Sequence, residues 1–178
     1  MAEKIEQVVE RARFQAVVLT ISDRCAAGTA QDTSGPAVAA LLRESLPAHI
    51  YTAEILPDGR AGLAERLRHY ADGNGIDLVV AVGGTGPAPR DETPEAVRDV
   101  VERLTPGFDE VMRHASLAAT PLAMLSRACS GIRGSTLILS LPGSERASVE
   151  NLRAILPALP HALAKLRGDP SDCGRPDL

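Results

Sequence analysis

The sequence predicts an α/β fold: a three-layer α/β/α sandwich with a mostly parallel central sheet. Three observations lead there. Continuous apolar runs at 16–21, 78–82 and 136–141 read as strands buried on both faces, the habit of parallel sheets. Stretches with apolar residues at helical spacing alternate with these runs. No hairpin signal stands out between them.

Residues 1–13 are charged, with apolar Ile5, Val8 and Val9, and read as a short amphipathic helix or a frayed arm. Ala16 to Ile21 is the first strand, and Ser22 to Gly35 a loop of small and polar residues. Pro36 suits a first helical turn with Ser34 or Thr33 as cap, and Val38, Leu41, Leu42 and Leu46 continue the stripe. Ile50 to Leu56 is a strand, Asp58-Gly59 a turn and Leu63 to Tyr70 a helix. Leu78 to Val82 is a strand that runs into Gly83-Gly84-Thr85-Gly86. Thr93-Pro94 opens a helix with Thr93 as cap and an apolar stripe of Val97, Val100, Val101 and Leu104. Residues 107–118 and 121–129 look helical, broken at Pro121. Thr136 to Leu141 is the last strand, closed by Pro142-Gly143-Ser144. Val149 to Leu166 reads as helix interrupted by Pro157 and Pro160, and 168–178 as a fraying tail. One domain over 14–167 is the expected organisation.

Composition narrows the function. With 178 residues, 44% hydrophobic and 24% charged, the chain is an ordinary globular domain. No apolar run approaches the roughly 20 residues of a membrane span, so no membrane role and a cytoplasmic location are expected. Net charge is −4 and aromatics are 2%, which argues against nucleic acid as a partner. The three cysteines are widely spaced, so a disulfide framework or zinc site is not expected. Lys4 and Lys165 are the only lysines, and neither suits a Schiff base or a P-loop. The four histidines show no metal-ligand pairing.

Right-handed crossovers would bring the strand C-termini to one edge, where loops 22–35, 83–93 and 142–147 would meet. Gly83–Gly86 would let backbone N–H groups approach an anion, or it is a plain turn. It lacks the Gly-Lys-Ser/Thr of a Walker loop, and Pro89 breaks the dinucleotide fingerprint. Asp91 reads as a magnesium ligand beside phosphates or as a complement to a helix dipole. Asp58 reads as a second such carboxylate or as an Asp-Gly turn. Ser144 with Pro142 and Gly143 would bind a phosphate at a helix start, or simply cap it.

The stretches LTISD at 19–23 with DTSG at 32–35, GGTGPAPRDETPEA at 83–96, PLAMLSRACSGIRGSTLILSLPGS at 121–144 and ILPALPHAL at 155–163 resemble the molybdopterin-binding MogA/MoaB family. Residues 121–144 are especially similar to its eukaryotic G domains. The resemblance covers 14–167. It implies an α/β/α fold, a homotrimer, and Mg-ATP-dependent adenylylation of molybdopterin with release of pyrophosphate. The product would pass to a molybdenum insertion enzyme. By the same resemblance, Asp58 and Asp91 are the catalytic pair and hold Mg²⁺. Molybdopterin would meet Gly83, Gly84, Thr85, Gly86, Ser126, Arg127, Pro142, Gly143 and Ser144. Ser22, Asp23, Asp32, Ser34 and Gly35 would face the nucleotide. Two departures are Glu92, where many relatives carry Val, and Glu145-Arg146, where bacterial members often have Pro-Lys. Other readings at this level are a molybdopterin-binding protein without transfer activity and a nicotinamide-dependent oxidoreductase.

Overall fold

The computed structural model describes residues 13–73 and 75–171. The expected N-terminal helix or arm and most of the expected tail lie outside the described residues. Among the described residues six strands form one sheet: β1 (Phe14–Ile21), β2 (Ala48–Leu56), β3 (Leu78–Val82), β4 (Arg103–Leu104), β5 (Gly131–Arg133) and β6 (Thr136–Leu141). The helices are α1 (Asp23–Ala26), α2 (Ser34–Ser45), α3 (Arg60–Gly73), α4 (Thr93–Arg98), α5 (Pro106–Leu117), α6 (Glu145–Ile155) and α7 (Leu159–Leu166). A 3₁₀ turn covers Pro121–Leu125.

The strand order is β2-β1-β3-β6-β5-β4. The first four strands are parallel, and β5 runs antiparallel to both β6 and β4. Register explains the two cores. Val18, Val80 and Leu139 align across the sheet and pack under α2, α5, α6 and α7, with Leu42, Met112, Leu152 and Leu159. Their neighbours Val17, Val79 and Ile138 point the other way, under Leu63 and Leu67 of α3 and Val97 of α4. Strands between two such layers are apolar on both faces, which is why their sequences run continuously instead of alternating.

Several expectations need correction. The sheet does contain a hairpin: β5 and β6 are joined at Gly134 (φ +54°) and Ser135. Residues 126–129 are not helical. The N–H groups of Arg127 and Cys129 donate instead to Thr85 O and Ser140 Oγ, away from any helical ladder. α4 ends at Arg98, so Val100 and Val101 lie beyond it, and Leu104 is exposed in β4. Glu92 takes the cap position of α4, while Thr93 is its first residue and is buried. At α2 neither Thr33 nor Ser34 caps by side chain. The Asp32 carboxylate does so, accepting from the Gly35 N–H at 3.0 Å and the Ser34 hydroxyl at 3.2 Å. Pro160 sits in the first turn of α7 and starts that helix instead of interrupting one.

Candidate functional site

The C-terminal ends of β1, β2, β3 and β6 open on one edge. β1 lies between β2 and β3, so the chain reverses its direction of travel across the sheet there. Such a switch point leaves a crevice beyond the strand ends. Two glycines let the chain close around it, one against backbone and one against side chains. Gly83 has φ +118°, and a Cβ there would lie 2.2 Å from Ile21 O. Gly84 has φ +61°, and a Cβ there would lie 2.5 Å from Thr93 Oγ1 and 3.4 Å from Asp58 Oδ1. Gly143 closes the other side, since its Cβ would sit 3.3 Å from the Gly83 Cα.

This glycine backbone separates two cavities. The first, about 470 Å³, is polar, and Ser22, Asp23, Asp32, Ser34, Asp58 and Ser144 line it. The second, about 410 Å³, is mainly apolar, walled by Met112, Leu122, Ala123 and Leu125 with Thr85, Gly86, Ser126 and Pro142. Gly84, Asp91 and Gly143 line both. They form the septum.

The polar cavity is strongly acidic. Asp23, Asp32, Asp58, Asp91 and Glu145 line it, and Arg24 is the cation among its lining residues. These carboxylates are not equivalent. Asp23 is gripped by Arg90 (Nε–Oδ2 2.7 Å, Nη2–Oδ1 2.9 Å), which lowers its pKa below the ordinary value by hydrogen bonding against a smaller effect of burial. Asp23 and Asp58 also exchange backbone bonds: Asp23 N–H donates to Asp58 Oδ2 at 2.8 Å, and Asp58 N–H to Asp23 Oδ1 at 3.1 Å. Asp32 accepts from Thr20 Oγ1 at 2.7 Å as well as from the start of α2. Asp91 Oδ2 accepts from Ala88 N–H at 3.0 Å. Asp58 and Asp91 thus each keep one carboxylate oxygen without a hydrogen bond from the described residues, and both residues line the polar cavity. Among the described residues no cluster of three or more His, Cys, Asp and Glu could hold a metal. A pair of carboxylates supplemented by phosphate oxygens and water suits Mg²⁺, and the donor set here fits that ion.

The remaining expected residues divide. Ser144 lines the polar cavity, and its Oγ accepts from Ala147 N–H at the start of α6. Gly35 lines neither cavity; it is buried, and a Cβ there would lie 2.3 Å from Thr20 Oγ1. Arg127 also lines neither, and its guanidinium bonds Gly86 O, Asp91 O and Glu95. Sequence reasoning missed the wall that α5 and the 3₁₀ turn contribute. It also missed Asp109, which is 6% exposed, lines the apolar cavity and accepts from Ser130 N–H and Oγ. Burial raises the Asp109 pKa above the ordinary value, and the Ser130 bonds oppose that only in part. Its position on an amphipathic helix carries no signal beyond a polar residue beside Phe108.

Comparison with known proteins agrees with this geometry. Residues 17–161 match the family described as "Probable molybdopterin binding domain". A molybdopterin adenylyltransferase of Helicobacter pylori is 43% identical over 154 residues, covering 85% of this chain and 87% of that protein. Gephyrin of Dictyostelium discoideum is 40% identical over 162 residues, 86% of this chain but 22% of gephyrin. The molybdopterin biosynthesis enzyme MoaB of Thermus thermophilus superposes with a TM-score of 0.83 at 45% identity, covering 89% of this chain and 99% of that one. The family match runs from β1 into α7 and takes in the septum and both cavities, and the chain belongs to the molybdopterin-binding family.

Proposed function

We propose that this chain is a molybdopterin adenylyltransferase of molybdenum cofactor biosynthesis. The observation that carries the reading is the septum: two cavities of different chemistry share Gly84, Asp91 and Gly143. A ring with apolar faces suits the cavity walled by Met112, Leu122 and Leu125. A nucleotide triphosphate suits the polar one. The reacting phosphates of two substrates would then meet at the shared residues. A terminal phosphate oxygen of molybdopterin attacks the α-phosphorus of ATP, a P–O bond forms, and pyrophosphate leaves with the electron pair of the broken bond.

Such a reaction needs positioning and charge neutralisation and no protein nucleophile. The Gly83–Gly86 backbone brings N–H groups close to the phosphates without side-chain obstruction. Pro142 to Ser144 present the N-terminus of α6, where partial positive charge favours an anion. Asp58 and Asp91 would hold Mg²⁺, which supplies positive charge to the triphosphate in an otherwise acidic cavity. Ser22, Asp23, Asp32 and Ser34 shape the nucleotide side, with Asp23 and Asp32 acting through the bonds they already make. Ser126 faces the pterin side.

The reading extends to a homotrimer. Val111, Leu117, Leu122 and Met124 are exposed apolar residues on α5 and the 3₁₀ turn, suited to subunit packing. It extends also to a cytoplasmic location and hand-over of the product to a molybdenum insertion enzyme. The experiment is incubation of the purified chain with molybdopterin and Mg-ATP, with pyrophosphate and adenylylated pterin measured together. Tight pterin binding without either product would overturn transfer and leave a binding protein.

A further inference from the structure

We infer that Arg127 is a positioning residue that sets the Asp91 carboxylate at the septum and does not itself contact substrate. The inference rests on the adenylyl-transfer reading of that site. Arg127 follows the 3₁₀ turn in an extended segment, and it reaches the glycine loop by main chain and side chain together. Its N–H donates to Thr85 O at 2.9 Å and its Nε to Gly86 O at 2.9 Å. Nη2 donates to Asp91 O, and Nη1 to Glu95 Oε1. One side chain therefore ties both ends of the Gly86–Asp91 loop and anchors them to α4.

Arg90 also ties this loop to the body, its guanidinium donating to both Asp23 carboxylate oxygens and to Asp58 O at 2.8 Å, but it grips the outer side of the loop and not the two ends that Arg127 holds. Asp91 N–H donates to Ala88 O at 2.9 Å, and Ala88 N–H to Asp91 Oδ2 at 3.0 Å, which ties 88 to 91 within the loop. Thr93 N–H donates to Gly84 O at 3.1 Å, outside the segment. The Asp91 carboxylate lies directly over Gly86, where a Cβ would be 2.8 Å from Oδ2. Holding Gly86 O and Asp91 O therefore holds the main chain from which that carboxylate projects, while Ala88 N–H holds its Oδ2. Glu95 holds the guanidinium in turn. Burial raises its pKa, but the Arg127 hydrogen bond and the surrounding positive charge outweigh this and leave it below the ordinary value. A planar fork suits three acceptors in different directions; an ammonium at the same place would reach fewer of them.

The test is a kinetic cycle on the full chain with Arg127→Met, Arg127→Lys, Asp91→Asn and the doubles. Arg127→Met should lower kcat for adenylyl transfer roughly 10- to 100-fold, with KM for molybdopterin changed by less than about threefold. Arg127→Lys should fall between. In the Asp91→Asn background either Arg127 substitution should change kcat by less than about twofold, because its effect passes through that carboxylate. Multiplying losses would overturn the inference, and so would a raised KM for molybdopterin at unchanged kcat, which would put Arg127 on the pterin. If Arg127→Met fails to fold, the Lys pair gives the same cycle. A wild-type chain that transfers nothing overturns the proposed activity instead. Amide hydrogen exchange over residues 86–91 then decides the positioning claim: exchange should quicken about tenfold or more in Arg127→Lys. Unchanged exchange refutes it.

Discussion

Removing one charge at a time from Asp58 and Asp91 separates chemistry from scaffold. In Asp58→Asn the amide oxygen can still accept from Asp23 N–H, which Asp58 Oδ2 now accepts at 2.8 Å. A charge-assisted bond becomes a neutral one, a loss of about 1 kcal/mol. Asp91→Asn loses about the same at its bond from Ala88 N–H. In a domain of this size each should lower Tm by about 2–4 °C. The effect on transfer should be larger. Opposite unit charges about 4 Å apart interact by about 4 kcal/mol at an effective dielectric of 20, and a divalent cation by about twice that. Water recovers part of that, and a remaining 2.7 kcal/mol or so is roughly 100-fold in rate. The assay is pyrophosphate release with Mg-ATP and molybdopterin, run beside thermal melts and pterin titration. Pterin affinity should hold in Asp58→Asn, because Asp58 lines only the polar cavity. It should hold or rise in Asp91→Asn, where a negative charge is lost from a wall shared by both cavities. Full transfer by either variant would return that residue to the role of turn or cap. Tm falling by much more than about 4 °C alongside activity would make it scaffold.

Two further predictions concern stability. Arg167 pairs through Nε and Nη2 with the Asp77 carboxylate at 2.6 and 2.7 Å, and Asp77 is 7% exposed. Arg167→Met should cost about 3 kcal/mol, because a buried carboxylate loses its counter-charge, and added Asp77→Asn should restore part of the Tm; equal melts for wild type and single variant would contradict this. Asp109 has a raised pKa because burial disfavours its charged form, so its stabilising contribution is present at low pH and is lost as pH rises through its folded value. Asp109→Asn removes that loss and can still pair with Ser130, so the Tm of the variant relative to wild type should climb from acid to neutral pH. A pH-independent difference would show that the carboxyl does not titrate as its burial implies.

The strands most legible in the sequence are those buried twice over. β1, β3 and β6 lie in mid-sheet, and no polar alternation interrupts them. β5 escapes a sequence reading because it is only Gly131–Arg133, too short to show a period, although Gly134-Ser135 is a turn pair. Residues 126–129 look helical because Ser126 to Cys129 have no strand pattern. Bonds to Thr85 in the distant glycine loop and to Ser140 across the β5–β6 hairpin draw those N–H groups out of a helix. The site loops are legible from glycines and hydroxyls after strands. Which carboxylates remain available is not. Arg90 meets the Asp23 carboxylate from 67 positions away, while Arg127 meets the Asp91 main-chain carbonyl from 36 and leaves its carboxylate to Ala88 N–H. Residue types at a sheet edge can be read from the chain, whereas pairing across loops follows from how closely the backbones approach.

That closeness is the chemical point of the glycines. Gly83 and Gly143 pack backbone against backbone and Gly84 packs against the Thr93 and Asp58 side chains, so an apolar and an acidic cavity meet at the same few residues. A side chain at Gly84 would meet the Thr93 hydroxyl and crowd Asp58. It would fill the place where, in the proposed reaction, two phosphates would come within bonding distance. Near-attack geometry requires reacting atoms about 3–3.5 Å apart, and a displacement of about 1 Å can cost 100-fold. A wide cleft holding both substrates would leave that distance to chance. Two cavities that share lining residues would set it through substrate binding, a division of labour that would need no nucleophile from the protein. The acidic lining fits the same logic. Alone it would repel a triphosphate, so a cation held by Asp58 and Asp91 would determine both whether the nucleotide binds and where its α-phosphorus rests.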